Sequence, residues 1–366
     1  MELTISKASL LDGINIVSKA VTTRTTMPIL SCILFSANSE GIHLTSNNLE
    51  YGIETNLISA EVSTPGSVAL DARLLSGIIA KMPEGDIHIS MDGNRITTIK
   101  SGRSKLKING DNPDEFPALP KVDHSKTFSI SQGKLQSMIQ RTIFSTSKDV
   151  SKPVLTGLLV KIKDSRLNIV ACDIYRISHR YSDVEAIGNM EFSVPAAAMG
   201  EVARLISKND EHEAHIHHTD RHVLFETNSC TIVSQLLEGQ FVEYERLLNQ
   251  TAKATTKANT ADLLYALERM CIVAETGRQL PVKLEITNDT ITLSSETSKG
   301  KGQDEISALT TGEDMTVSFN SRLLIEALRA IEDTEVEIQF SGALSPCKIR
   351  PIEQGAYEYL IVPLRQ

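Results

Sequence analysis

One ordered set of local patterns occurs three times in this chain of 366 residues, and that repetition constrains the fold more than any other feature. The tightest trio is "VALDARLLSGIIAKM" from Val68, "FSVPAAAMGEVARLI" from Phe192 and "VSFNSRLLIEALRAI" from Val317, at intervals of 124 and 125 residues. Each opens with a short β-like entry. A helix-starting residue follows (Asp71, Pro195, Asn320), and apolar residues then recur at helical spacing. Asp and Asn suit an N-cap because their side-chain oxygen accepts an orphan backbone N–H; Pro suits the first turn, where no N–H is needed.

A second trio has the same strand-then-helix form. It comprises "LTISKASLLDGINIVSKAV" from Leu3, "FSISQGKLQSMIQRTIF" from Phe128 and "KANTADLLYALERMCIV" from Lys257, with Leu10, Leu135 and Leu263 in equivalent places. Between the helices, "NSEGIHLTS", "KDSRLNIVA" and "TNDTITLSS" each set turn residues before an alternating strand. After each second helix comes a hairpin pattern, clearest at Asp92-Gly93. Four features in one order at one period imply triplication of a whole domain, since solenoid repeats are far shorter. The expected domains are residues 1–121, 126–249 and 255–366, each α+β with two helices and many short strands. The polar stretches "DNPDEFPALPKVDHSK" and "NQTAKATTKAN" read as linkers.

The formal net charge of −9 argues against a protein that coats nucleic acid by bulk attraction. The predicted helices nevertheless carry a small net positive charge, so a mildly basic surface on an acidic body is expected if they line one face. The five cysteines (Cys32, Cys172, Cys230, Cys271, Cys347) lie far apart with no CxxC, which points to a reducing compartment. No signal-peptide pattern or membrane-length apolar run is found, and a cytoplasmic protein is expected. There is no phosphate loop, HExxH or GxSxG motif. Five histidines crowd "EHEAHIHHTDRHVLF" (His212, His215, His217, His218, His222), but they span a predicted hairpin with no defined ligand geometry. No metal role is expected there beyond adventitious binding to a nickel resin.

The strings "MPIL", "SGRSKLKI", "DEFP", "ACDIYRIS", "EGQFVEYERLL" and the terminal "VPLR" occur in the order and spacing of a known family. Over its whole length the chain resembles the bacterial sliding clamps, the β subunits of DNA polymerase III. The resemblance implies three tandem clamp domains, with two helices per domain lining a ring hole and β-sheets outside. It implies a head-to-tail homodimer round double-stranded DNA, non-catalytic and without a cofactor or membrane contact. The partners implied are the polymerase III α subunit, clamp-loader subunits and other proteins carrying a clamp-binding motif. A metal-dependent enzyme built on the histidine run and a DNA-independent scaffold of triplicated domains are the alternatives.

The resemblance also implies site residues. Arg24, Arg73 and Lys148 match DNA-facing positions, whereas Ala196-Ala197-Ala198 stand where relatives often open the fourth helix with a basic pair. At the dimer joint, Arg103, Lys105 and Lys107 with Leu106 and Ile108 would face Asp304, Glu305, Ile272 and Val273. A partner-peptide pocket between domains two and three would have an apolar slot of Leu155, Ile177, Val242, Leu247, Leu360 and Val362. Its rim would be Arg176, Arg246 and Arg365. Cys172, Asp173, Ile174, Tyr175, Asn320 and Pro346 complete the matching positions, together with Ile361, Pro363 and Leu364. Ile174-Tyr175 replaces a Gly-His pair, Pro346 replaces a small hydroxyl residue, and "SKPVL" at 151–155 lacks the usual aromatic pair. The terminal Gln366 replaces an apolar residue.

Overall fold

A computed structural model describes residues 1–22, 25–186, 188–274, 280–298, 300–352 and 356–365. The six anticipated helices are Lys7–Val17, Ala72–Lys81, Gln132–Gln140, Ala196–Leu205, Thr260–Ala274 and Ser321–Arg329. Each begins on the residue after a strand: Glu2–Ser6, Gly66–Asp71, Thr127–Ser131, Met190–Pro195, Ala254–Asn259 and Met315–Asn320, respectively. The switch from strand to helix falls on the capping residue. Ser6 Oγ accepts from Ser9 N at 3.1 Å, Asp71 Oδ1 from Leu74 N at 2.7 Å, and Asn320 Oδ1 from Arg322 N at 3.2 Å. Ser131 Oγ accepts from Lys134 N at 3.2 Å and Asn259 Oδ1 from Asp262 N at 3.1 Å. Each such cap is worth about 1 kcal/mol.

Two helices are shorter than their apolar pattern. The first relaxes into a 3-10 turn at Ser18–Ala20. The third stops at Gln140, short of the end of its pattern at Phe144, and a 3-10 turn follows at Ile143–Ser145. Thr142 Oγ1 donates back to Met138 O at 2.7 Å, a side-chain bond that competes with continued helix. A five-residue helix at Tyr244–Leu248, inside "EGQFVEYERLL", is too short for periodicity to reveal.

The chain forms two compact units, and the second repeat contributes to both. One unit comprises residues 1–136 and 201–236. Its larger sheet runs in the order Thr127–Ser131, Glu213–His218, His222–Glu226, Cys230–Gln235, Tyr51–Thr55, Gly41–Asn47, Cys32–Asn38, Gly66–Asp71. First and second repeats are therefore fused by the antiparallel pairing of Cys230–Gln235 with Tyr51–Thr55, which sets Ile232 opposite Ile53, both fully buried. A five-stranded sheet ends in the edge strand Ser104–Asn109.

The other unit comprises residues 137–200 and 237–366 and carries a twelve-stranded sheet. Here second and third repeats are fused, because Arg176–Asp183 pairs antiparallel with Tyr357–Ile361. Over the third repeat's part of that sheet pack helices Thr260–Ala274 and Ser321–Arg329. Leu263, Ala266, Leu267, Leu324 and Leu328 meet Phe319, Ile338 and Phe340 in one buried cluster. No helix among the described residues is long and apolar enough to cross a membrane.

Phe319 is fully buried in this core, so Phe319→Ala removes a ring the surroundings cannot refill. A loss of about 3–5 kcal/mol is expected, read as a lowered urea midpoint for the unit. Four of the five cysteines are buried. Burial pushes the thiols of Cys32, Cys172 and Cys347 up to about 12, and Cys230 is raised by the same cause. Native protein at pH 8 should give prompt thiol labelling at Cys271 alone, with the other four reacting only after denaturation.

Candidate functional site

The "ACDIYRIS" string folds as the end of a β-hairpin whose strands are Arg166–Asp173 and Arg176–Asp183. Ile174 and Tyr175 are its two turn residues. Asp173 Oδ1 accepts from Tyr175 N at 2.8 Å and Arg176 N at 3.0 Å, an Asx-type lock on the turn. Both turn side chains consequently stand out, at 60% and 56% exposure. The apolar bulk of this turn is presented to solvent.

Beside the turn lies the slot. Leu155, Leu159, Val170, Cys172, Ile177, Phe241, Tyr244, Leu248 and Leu360 form a buried cluster, and Val154, Val242 and Val362 pack half-buried against it. Leu247, on the short helix, is 39% exposed. Five of the six expected slot residues thus gather in one cluster: Leu155, Ile177 and Leu360 are buried and Val242 and Val362 half-buried, whereas Leu247 stands exposed outside it. Chain-end residues close one side: Val362 N donates to Tyr175 O at 2.9 Å and Leu364 N to Ser318 O at 2.7 Å. Ile361 and Pro363 are buried, Leu364 is half-buried and Arg365 exposed. Pro346 is half-buried, immediately before Cys347, which pairs with Ile361.

The rim differs from expectation. Arg246 and Arg365 are exposed, but Arg176 is not a free cation. Its Nε donates to Asp173 Oδ2 at 3.0 Å and a terminal nitrogen to Phe144 O at 2.5 Å; the other pairs with Glu326. With the guanidinium stacked 5.2 Å from the Phe144 ring centre, Arg176 ties the hairpin to the helix Ser321–Arg329. Asn320 likewise serves as that helix's N-cap. Across the fused strands His179 Nδ1 lies 3.5 Å from Glu358, and Lys348 Nζ lies 3.4 Å from it. Burial alone would raise the Glu358 carboxyl. The His179 hydrogen bond and the Lys348 charge outweigh it and hold the group below its ordinary value.

Val154, Leu159, Val170, Phe241, Tyr244 and Leu248, which no family string singles out, pack in the same cluster. They sit in ordinary apolar alternations, and only the fold gathers them.

Among the described residues, both expected joint surfaces lie on strands with a side left unpaired, the second over part of its length. Ser104–Asn109 there pairs only with Ile96–Ser101. Lys105 and Lys107 are exposed there, Leu106 is 41% exposed, and Ile108 turns inward at 6%. Beside it is a cleft of 490 Å³ lined by Arg73, Leu74, Ile78, Lys81 and Leu106. In the other unit, the strand Gly300–Gly312 is paired unevenly. Residues 300–307 bond to Thr290–Thr297, while Ala254–Asn259 engages it only from Ala308 onward. Its acidic half therefore has one side open. Glu305 is exposed there, whereas Asp304 already accepts from Arg269 Nε at 2.6 Å. Nearby on the helix, Ile272 is 73% exposed and Val273 half-buried.

Of the DNA-facing candidates, Arg73 and Lys148 are exposed and Arg24 lies outside the described residues. Among helix cations, Lys7 is buried and paired with Glu84 at 2.6 Å, and Arg329 with Glu268 at 2.7 Å; Arg204 pairs with Glu201. Lys19, Lys81, Lys134, Lys208 and Arg322 are exposed. Ala198 is buried, so the alanine run that replaces a basic pair presents Ala197 at the surface.

Three sequence profiles of the DNA polymerase III beta subunit match the chain in order: the N-terminal domain over residues 1–120, the central domain over 129–243 and the C-terminal domain over 245–365. Proteins named beta sliding clamp from Halalkalibacterium halodurans and Bacillus subtilis are each 30% identical, and each alignment covers 100% of both chains. The crystal structure of a putative DNA polymerase III beta subunit from Eubacterium rectale is 33% identical, with a TM-score of 0.96 and full coverage of both chains. That of the Bacillus subtilis sliding clamp also has a TM-score of 0.96, covering 100% of this chain and 99% of the other. With all three profiles in register along its repeats, the chain belongs to the DNA polymerase III beta subunit family.

Proposed function

We propose that this chain is a DNA sliding clamp, a non-catalytic processivity factor that closes round double-stranded DNA as a head-to-tail homodimer in the cytoplasm. The observation that carries the reading is the pair of complementary free edges. The basic edge of Ser104–Asn109 belongs to the first repeat, and the acidic open side of residues 300–307 to the third. Strand edges left bare are normally covered or guarded, and these two carry opposite charge. Lys105 and Lys107 of one copy would meet Glu305 of another, and exposed Leu106 and Ile272 would add apolar burial at the joint. Such a contact is heterologous, so a second copy is needed for closure.

A clamp holds DNA by topology and tethers its polymerase at high effective concentration. Strong phosphate contacts would only slow its movement, which fits the thinly spread cations on the helices and the loss of several into internal ion pairs. Arg73 and Lys148, with Arg24, are the proposed DNA-facing groups. The slot beside Ile174-Tyr175 is the proposed seat of a short peptide motif with buried apolar anchors. Such motifs would come from the polymerase α subunit, clamp-loader subunits and other replication or repair proteins. Arg246 and Arg365 are the cations free to meet a polar or carboxylate end of that peptide. The exposed turn residues would shape motif preference. The domains are assigned as residues 1–121, 126–249 and 255–366.

Loaded on a nicked circular duplex, the protein should be retained through gel filtration and lost once the circle is linearised. Retention on linear DNA would overturn the ring. Leu106→Asp and Ile272→Asp should each convert the protein at micromolar concentration to a 40.1 kDa species in sedimentation. Val362→Asp should weaken a polymerase-tail peptide at least 100-fold in titration while leaving the sedimenting species unchanged.

A further inference from the structure

The histidine run does fold into the expected hairpin, Glu213–His218 and His222–Glu226, and most of its imidazoles are unremarkable there. His215 Nδ1 is bonded to Ser129 Oγ at 2.7 Å, and His218 Nδ1 lies 3.2 Å from Thr219 O. His217 is different, because two residues from outside the run converge on it. His124, in the linker before the second repeat, stacks with ring centres 3.9 Å apart, and a Glu226 carboxylate oxygen lies 3.4 Å from His217 Nε2. Candidate ligand atoms of His124, His217 and Glu226 all lie within 4.8 Å of one another.

Proton counting sharpens this. Thr127 stands opposite His217 in the sheet. Its Oγ1 donates its single proton to His124 O at 2.9 Å. The same Oγ1, 2.8 Å from His217 Nδ1, must therefore accept, so the imidazole proton is on Nδ1. Nε2 is left as a bare lone pair. It is buried, finds no hydrogen-bond donor, and faces a carboxylate oxygen. Two acceptors turned toward each other at the edge of a core are repulsive unless a cation sits between them.

We propose that His124, His217 and Glu226 form a binding site for a divalent transition metal, zinc by the chemistry of the set. Two imidazoles and a carboxylate with a fourth position open to water is an established zinc donor set. The Nδ1–H to Thr127 bond supplies the outer hydrogen bond that fixes the ligating tautomer. Tetrahedral zinc would hold its ligand atoms about 3.3 Å apart, so the site must tighten on binding. His124 is exposed and the Glu226 side chain is 49% exposed, which leaves both free to move in. A bound ion would fasten the linker at His124 onto the sheet edge. This site is independent of the clamp reading and leaves DNA and peptide contacts untouched.

The test uses full-length protein purified without a nickel column, stripped with chelator and dialysed. Calorimetric titration with zinc chloride should show one ion per chain with a micromolar or tighter Kd. His124→Asn, His217→Asn and Glu226→Gln should each weaken it at least tenfold, and His212→Asn and His222→Asn less than threefold. Zinc should also slow tryptic cleavage after Lys121 and Lys126 at least fivefold in the parent protein and not in Glu226→Gln. Circular dichroism of the exposed-site variant Glu226→Gln without metal secures the comparison if His217→Asn misfolds. Binding weaker than millimolar, several ions per chain, affinity that survives Glu226→Gln, or dependence on His212 or His222 instead would each overturn the site.

Discussion

The antiparallel pairing of Arg176–Asp183 with Tyr357–Ile361 is the constraint on which the functional unit depends. It stitches the last strand of the chain to a strand of the second repeat, making one sheet from two repeats. Register sets Ile177 opposite Leu360, and both face the slot cluster. The next pair, Ser178 and Tyr359, faces the other side, where Tyr359 is nearly fully buried and its hydroxyl donates to Arg141 O at 3.1 Å. A slip of one residue would exchange these two faces and destroy both. Residues 357–361 are largely apolar because they form an inner strand of this sheet, paired on both sides.

Several of the molecule's cations are tied up in internal ion pairs. Arg176 holds Asp173, Glu326 and a backbone carbonyl at once, and breaking it would strand two carboxylates in partly buried positions. Lys7, Arg204 and Arg329 are also neutralised locally. The exposed charge includes a loose scatter of cations on the helices and the lysines of the edge strand Ser104–Asn109.

The repeated strand, cap and helix were legible because each is a local device: Ser, Asp or Asn at a strand end, then helical periodicity. Five of the six apolar residues that the family strings pointed to, all but Leu247, pack in one cluster. Three things were hidden. Arg176 looks like a rim cation in sequence, since nothing local says that Glu326 and Phe144 lie within its reach. The helix at Tyr244–Leu248 is shorter than its own period can reveal. The link between His217, His124 and Glu226 has no local signature, because its members come from two strands and a linker that only the fold brings together.

The fused sheet also has a mechanical consequence. A pull on residues 362–365, such as a partner seated in the proposed slot would exert, passes into the strand Tyr357–Ile361. The ladder bonds to Arg176–Asp183 and Cys347–Pro351 lie across that direction, on both sides of the strand. Antiparallel bonds loaded this way share tension in shear and do not peel one at a time. A tail joined by a single loop would yield first; this one transmits force into the sheet.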